Sequence, residues 1–157
     1  MSRAFEQSVS ALWRSLDLPA PDLGRGPRVV LSIDGVEVSL EETPDGAGIW
    51  VSARIGRLSE DTGLRARQVS RLLRLGLGLV VGNRGCVVLD PQTRSTVTVE
   101  AAVPYGAATP PRLQETVQDV VYQAEILGAE LRPGAAAPAR PAPVSSERIG
   151  EDLIFRP

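Results

Sequence analysis

The apolar residues near the start of the chain repeat with the spacing of one helix face. They are Phe5, Val9, Leu12, Trp13 and Leu16. This i, i+4, i+7, i+8, i+11 pattern predicts an amphipathic helix over residues 2–16. Ser2 is placed to cap its first turn, and the Leu18-Pro19 step ends it, because the residue before a proline disfavours helical backbone.

The next stretch alternates apolar and polar residues, which is the pattern of half-buried strands. Residues 29–33 and 36–40 are two such runs, separated by Asp34-Gly35. An Asp-Gly pair in this position predicts a tight hairpin with a type I′ turn, because both central residues need positive φ. A further turn at 44–46 leads to a third strand over 49–55. The three runs together predict an antiparallel meander.

The second and third predicted strands have one apolar and one polar face. The apolar side chains are Val36, Val38, Leu40, Ile49, Val51, Ala53 and Ile55. The polar face should therefore meet water or a partner. Trp50 lies on this polar face, beside Ser52 and Arg54. Two interpretations of Trp50 stay open: it is an anchor for a binding partner, since tryptophan is enriched at binding hot spots, or a helix covers it.

The second half of the chain adds a helix, two strands and a last helix. Residues 64–76 have helical spacing, and the glycine-rich run 77–85 after them indicates that this helix has ended. Strands are predicted over 86–90 and 95–103. Thr109 followed by Pro110 indicates an N-cap and a first helical position, for a helix that reaches residue 131.

The resulting order, α-β-β-β-α-β-β-α, is typical of an α+β fold in which three helices flank a twisted antiparallel sheet. This domain spans residues 1–131. Residues 132–143 are almost entirely alanine, proline and glycine and predict a linker, because such a segment cannot bury a core. Residues 144–157 predict an acidic C-terminal tail, either flexible or able to dock through its LIF sequence at 153–155.

Composition narrows the chemistry that this fold could carry. The chain has no His and no Lys, all 17 basic residues are arginine, and there is a single Cys. A Ser-His-Asp triad, a P-loop lysine and a zinc site are therefore excluded, and we expect a protein that binds without catalysis, cofactor or metal. The pairs Glu41-Glu42 and Glu60-Asp61 could be acid/base partners, but their places at strand ends and loops favour a role in solubility.

The other charged and sulfur-bearing residues also favour structural roles. Arg67, Arg71 and Arg74 share a helix face that could grip phosphates or an acidic segment, although an ordinary solvated face is favoured. Cys86 precedes an apolar run, so a buried thiol is favoured over a reactive one. The net charge of -2 argues against nucleic-acid binding. Neither a membrane span nor a signal peptide is apparent, which predicts a cytoplasmic protein.

Several short sequences lie at defined places in this pattern. They are Phe5 and Leu12 of the first helix, LDLP (16–19), VLSIDGVEVSL (31–41), ARIGRL (53–58), RLLRL (71–75), VVLDP (87–91) and the amphipathic last helix. Together they resemble the Tir chaperone family, the class I chaperones of bacterial type III secretion. The resemblance covers about residues 3–131 and rests on apolar positions and turns, with no catalytic motif.

This resemblance implies a homodimer that holds the N-proximal segment of secreted effector proteins in extended form, with a role in protein transport and virulence. It implies effector binding by the first helix and the exposed sheet. The candidates are Phe5, Leu12, Trp13, Leu16, Val38, Leu40 and Trp50. For the four residues of the first helix, helical spacing alone favours a place in the core, and the resemblance favours a groove for those that point away from the sheet. It also implies a dimer interface on the second helix and the strand beside it. Those candidates are Val69, Leu72, Leu73, Leu75, Val87 and Leu89.

The same resemblance sets the expected partners. Besides effectors and a second copy of the chain, the ATPase of the secretion apparatus is a further partner to consider, whereas a membrane and nucleic acid are not expected. The alternative function is a regulatory or scaffold module of the same fold that binds a folded protein. A nucleic-acid adaptor acting through Arg67, Arg71 and Arg74 comes after it.

Overall fold

All eight predicted elements form, in the predicted order. The helices are α1 (Arg3–Ser15), α2 (Thr62–Val80) and α3 (Thr109–Leu131), and the strands are β1 (Arg28–Ile33), β2 (Val36–Glu42), β3 (Gly48–Arg57), β4 (Cys86–Leu89) and β5 (Thr96–Pro104). This computed structural model describes residues 2–21 and 28–132, so nearly all of the predicted linker and the whole acidic tail lie outside the described residues. The predicted α+β fold class is confirmed.

The five strands form one antiparallel sheet in the order β1-β2-β3-β5-β4. The predicted two-residue turn joins β1 to β2: Ile33 pairs with Val36, and Asp34 and Gly35 have φ of 50° and 83°. Positive φ at both central positions is what a type I′ turn requires. β5 lies between β3 and β4 in the sheet. The connection from β3 to the edge strand β4, which contains α2, therefore passes β5.

The hydrophobic core lies between the helices and one face of the sheet. α3 packs across β2, β3 and β5, and α1 and α2 each pack against α3. The sheet contributes Val38, Leu40, Ile49, Val51, Val97, Val99 and Val103, and α3 contributes Leu113, Val117, Val120, Ala124 and Leu127. The predicted apolar face of β2 and β3 is therefore the face that lies in the core. The three helices pack on this side of the sheet.

α1 begins at the predicted cap and ends in a left-handed turn. The Ser2 hydroxyl accepts a hydrogen bond from the backbone N–H of Phe5 at 3.2 Å. At the other end, Asp17 has a φ of 54°, which lets the Leu18 N–H donate back to the Trp13 carbonyl at 3.0 Å. This turn satisfies a carbonyl of the last helical turn before the proline is reached.

Glu42, at the end of β2, ties α1 to the sheet. Its Oε2 accepts from the Ser2 backbone N–H at 3.0 Å, and its Oε1 accepts from the Tyr105 hydroxyl at 3.2 Å. Hydrogen bonds from the Ser2 hydroxyl and backbone and from Tyr105 lower the pKa of Glu42, and they outweigh desolvation, which acts in the opposite direction. Burial raises the pKa of Tyr105, so this phenol remains a hydrogen-bond donor.

α2 is longer than the sequence predicts. The predicted range 64–76 is wrong at its C-terminal end, because the helix continues through Gly76 and Gly78 to Val80. A Cβ at Gly76 would lie 3.4 Å from Cγ2 of Val87, which is an ordinary contact distance, and nothing lies within 4 Å of a Cβ at Gly78. The helix therefore continues through both glycines despite their low helix propensity.

Two further local predictions are wrong. Thr109 is the first residue of α3 rather than its N-cap, which is Ala108, and its hydroxyl instead accepts from the Gly106 N–H at 2.7 Å in the preceding turn. Cys86 is exposed rather than buried. Its register opposite Glu100 places it on the sheet face that points away from the core.

A buried amide on α3 fixes the start of β4. Gln123 is buried, and its side-chain amide pairs with both backbone groups of Gly85: the oxygen accepts from the N–H and the nitrogen donates to the carbonyl, each at 3.2 Å. Gly85 has no room for a side chain, since a Cβ there would lie 2.8 Å from Cγ1 of Val99. The central helix therefore determines where the edge strand begins.

We expect Gly85→Ala to destabilise the protein by about 1–3 kcal/mol, because the added methyl group overlaps Val99 and displaces the Gln123 amide. Chemical denaturation followed by circular dichroism measures the change. Gly82→Ala is the matched control, since nothing lies within 4 Å of a Cβ at Gly82. Equal stability of the two variants would contradict this account of the β4 start.

We expect acid to weaken the attachment of α1. Because the pKa of Glu42 is lowered in the folded state, its contribution to stability is fully present above the ordinary value of 4.5 and is lost as the pH falls through the folded-state value. The stability advantage of the native chain over Glu42→Gln should therefore shrink in acid. Urea unfolding at a series of pH values measures it, and an advantage that stays constant down to about pH 3 would contradict the assignment.

Candidate functional site

One face of the sheet carries no helix in the part of the chain that the structure describes. We call it the open face. Its outward side chains are Arg28, Val30 and Ser32 of β1, Glu37, Ser39 and Glu41 of β2, Trp50, Ser52 and Arg54 of β3, Cys86 and Val88 of β4, and Thr98, Glu100 and Ala102 of β5. Trp50 is 40% exposed. Of the two interpretations of this residue, the one in which a helix covers it is therefore wrong for the described residues.

Trp50 lines two depressions of the open face that differ in chemistry. The first has a volume of about 470 Å³, and we call it the apolar notch. Besides Trp50 it is lined by Thr43, Pro44, Asp45, Ala47, Gly48, Ala102, Val103 and Pro104. The Asp45 carboxylate accepts from the Ala47 N–H, and the other lining residues apart from Thr43 are apolar. The second has a volume of about 330 Å³, and we call it the acidic notch. It is lined by Glu41, Glu42, Pro44, Ser52 and Glu100 as well as Trp50.

The carboxylates of the acidic notch are only partly neutralised. Arg28 Nε lies 3.4 Å from Glu41 Oε1, in a pair whose side chains are both about half exposed. The same Nε donates to the Ser39 hydroxyl at 2.8 Å, which explains why Ser39 is only 3% exposed on an otherwise solvated face. Glu100 accepts from the Thr98 hydroxyl at 2.8 Å, and no basic side chain among the described residues forms an ion pair with it.

Most of the residues predicted to receive effector side chains belong to the core instead. Phe5, Leu12, Trp13, Val38 and Leu40 are all buried. Their helix stripe and strand face point toward each other and toward α3, so none of them offers a surface to a partner in this conformation. Leu16 is partly buried at the margin of the core. Trp50 is the one member of the predicted set with a large exposed area.

The outward side of α2 carries an apolar stripe that nothing in the described chain covers. We call it the α2 stripe. It consists of Leu73, Leu77, Val80 and Val81, at i, i+4, i+7 and i+8. Leu73 is 61% exposed, Leu77 70% and Val81 88%. Leu89, on the edge strand β4 against which α2 packs, is exposed as well.

The α2 stripe overlaps only in part with the interface predicted from the sequence. Leu73 and Leu89 are exposed, Leu72 is buried in the core, and Val69, Leu75 and Val87 pack partly against it. Leu77, Val80 and Val81 are not among the predicted residues, because the predicted helix ends at residue 76. The helical spacing that continues from Leu73 through the glycines is the signal that could have found them.

Two of the charged residues singled out in the sequence, Arg71 and Asp61, have structural partners. Arg71 Nη1 lies 2.9 Å from Glu130 Oε2 and joins α2 to α3. Asp61 caps α2 by accepting from the Leu64 N–H at 2.7 Å. Arg67 and Arg74 are exposed. The arginines of α2 thus do not form one continuous cluster, since the central one is occupied by Glu130.

Residues 2–21 and 28–132 contain no group of three Cys, Asp or Glu side chains placed to hold a metal ion. Within the same ranges, no helix combines the length and the apolar content needed to cross a membrane.

A family model matches the greater part of the sequence. The Tir chaperone protein (CesT) family matches residues 7–128. This span includes α2 and all five strands in full, and most of α1 and α3. No curated protein sequence matches the chain.

Solved structures share the fold at low sequence identity. A chain of the HopA1–SchA chaperone–effector complex is 12% identical with a TM-score of 0.62, and the similarity covers 80% of this chain and 93% of that one. A chain of the heterodimeric ExoU–SpcU complex from the type III secretion system of Pseudomonas aeruginosa is 16% identical with a TM-score of 0.61, covering 80% and 98%. A chain of the complex of the Yersinia pestis type III secretion chaperone SycH with a stable fragment of YscM2 is 15% identical with a TM-score of 0.59. The similarity covers 78% of this chain and 98% of that one. At these identities the likeness is one of fold.

Proposed function

Since the chain belongs to the Tir chaperone protein (CesT) family, we propose that it is a chaperone of bacterial type III secretion that binds secreted effector proteins and keeps them competent for export. The family match over residues 7–128, which takes in all eight elements in whole or in part, is the observation that carries this proposal. The shared fold with chaperone–effector and type III secretion complexes supports it.

In this proposal the open face and the edge of the sheet receive the effector in extended form. Trp50 and Val30 are large apolar side chains that a bound segment would cover. β1 pairs with β2 alone among the described strands, so its outer backbone N–H and C=O groups are available to an added strand. Main-chain hydrogen bonds of this kind demand little of the partner's sequence, which suits a protein that holds an unfolded segment.

Binding in this proposal proceeds without turnover and without a cofactor, in the bacterial cytoplasm. Ordering an extended segment costs conformational entropy, and burial of apolar surface at about 25 cal/mol per Å² has to exceed that cost. A large aromatic side chain such as Trp50 contributes much of that area and loses little entropy on binding, since it has two rotatable bonds.

We further propose that two copies of the chain associate through the α2 stripe. Monomeric proteins rarely leave an apolar stripe of this size in water. A two-fold axis through the stripe would bury Leu73, Leu77 and Val81 of each copy against the same residues of the other, with Leu89 beside them. Burying one leucine contributes about 1.5–3 kcal/mol, so a few such contacts in each copy support a stable dimer.

Deleting the gene in its own bacterium tests the effector-binding function. We expect at least one protein secreted by the type III system to lose both intracellular stability and export, as measured by quantitative proteomics of cells and medium. The purified full chain should co-elute with the N-proximal segment of that protein, and complementation with the native gene should restore export. Unchanged levels of every type III substrate would contradict the proposal.

We expect Leu77→Glu to weaken self-association roughly 100-fold, because two buried leucines are lost in each dimer and carboxylates replace them. Light scattering across a concentration series measures the mass. Val30→Glu is the matched control, since Val30 is 51% exposed but lies on β1 at the opposite edge of the sheet. A native chain that stays monomeric, or a Leu77→Glu variant that dimerises like the control, would argue against this interface.

A further inference from the structure

The two notches beside Trp50 lie one strand repeat apart. Ala102 lines the apolar notch and Glu100 lines the acidic notch, and both point outward from β5. Residues two apart on a strand are separated by about 6–7 Å. Trp50 is the neighbour of Ala102 on β3 and forms part of both linings. A segment that crosses the Trp50 indole can therefore contact both notches at once.

An extended segment has the same repeat as the surface beneath it. Its side chains at positions i and i+2 point to the same side and lie about 6–7 Å apart. A segment that runs along β5 over Trp50 can therefore place one side chain in the apolar notch and the next one on that side in the acidic notch.

The charges of the acidic notch select what enters it. Glu41, Glu42 and Glu100 contribute three carboxylates, of which Glu42 already accepts from the Ser2 N–H and the Tyr105 hydroxyl. The described cation beside them is the half-exposed Arg28, which among these carboxylates pairs only with Glu41. A basic side chain gains from these carboxylates, and Trp50 in the same lining offers an aromatic ring, whose face attracts cations. An acidic side chain in the same place meets like charges and is disfavoured.

We infer that the open face prefers an effector segment in which an apolar residue stands two positions from an arginine or lysine. This inference rests on the proposed function, because an extended segment must bind this face at all, and it adds the chemistry by which the segment is chosen. The charge pair is exposed to solvent, so it is worth about a fivefold preference rather than most of the affinity. The apolar contacts thus provide most of the affinity for the segment. The carboxylates determine which of its residues lies in the acidic notch.

Three tryptophan-free peptides test the preference. GSTLTRTSG carries leucine and arginine two positions apart, GSTLTETSG replaces the arginine by glutamate, and GSTSTRTSG replaces the leucine by serine. The chain has two tryptophans, so a full-length Trp13→Phe variant leaves the emission of Trp50 as a local probe of binding. Trp13 is the tryptophan to replace, because it is buried in the core, whereas Trp50 is exposed on the open face.

We expect the Leu–Arg peptide to shift the Trp50 emission and to bind about fivefold more tightly than the Leu–Glu peptide, with the preference falling as salt is raised. The Ser–Arg peptide should bind more weakly still, since it cannot fill the apolar notch. The double variant Glu41→Gln, Glu100→Gln should lose most of this preference, because of the notch carboxylates only Glu42, held by Ser2 and Tyr105, remains. Glu37→Gln, on the same face but in neither lining, is the matched control and should keep the preference.

Three results would overturn the inference. They are equal binding of the Leu–Arg and Leu–Glu peptides by the native face, a preference that is undiminished in the double variant, and no change of Trp50 emission with any peptide at millimolar concentration. If the full chain still co-elutes with an effector segment while the preference is absent, only this inference fails. If no secreted protein depends on the chain in the deletion experiment, the proposed function fails with it.

Discussion

The packing of α3 across the inner face of the sheet is the contact on which the rest of the structure depends. Its buried stripe closes the core against β2, β3 and β5. From the same helix, Gln123 holds Gly85 at the start of β4, and Glu130 pairs with Arg71 of α2. One helix thus positions the sheet, an edge strand and a second helix. Because α1 also packs against it, all three helices are drawn to one side.

This one-sided arrangement produces both surfaces to which function is assigned. A sheet covered on a single face leaves the outward side chains of five strands in water, and most of them are accordingly polar. Trp50 departs from that rule at the centre of the face, between Glu41 and Ala102 in register. α2 likewise uses one side to reach α3 and β4 and keeps its apolar stripe outside. The two surfaces for which we propose binding are thus made of side chains that do not take part in the core.

Element order and the hairpin could be predicted because their signals are local. The apolar spacing of α1 and the positive φ demanded at Asp34-Gly35 do not depend on the rest of the chain. A buried core and an apolar binding groove, by contrast, give the same spacing of apolar residues in the sequence. The sequence pattern around Phe5 and Leu40 would be the same whether these residues lay in the core or in a groove. Only the docking of α3 decides that both are buried. The resemblance to a chaperone family indicated α2 as an interface, but it could not separate the buried Leu72 from the exposed Leu73.

Gly76 and Gly78 lower the helical propensity of the last turns of α2, each by roughly 1 kcal/mol relative to alanine. Leu77 and Val81 beside them gain little packing from the described residues, whereas Leu75 and Leu79 pack against the core. We therefore expect these turns to be less stable than the middle of the helix, so that their backbone amides exchange with solvent earlier. A partner that covers Leu77 and Val81 binds the ordered helix and not the frayed one, so the ordered fraction rises with the partner's concentration by mass action. The fraction of molecules in which the last turns of α2 are ordered then depends on the concentration of that partner as well as on the sequence of the chain.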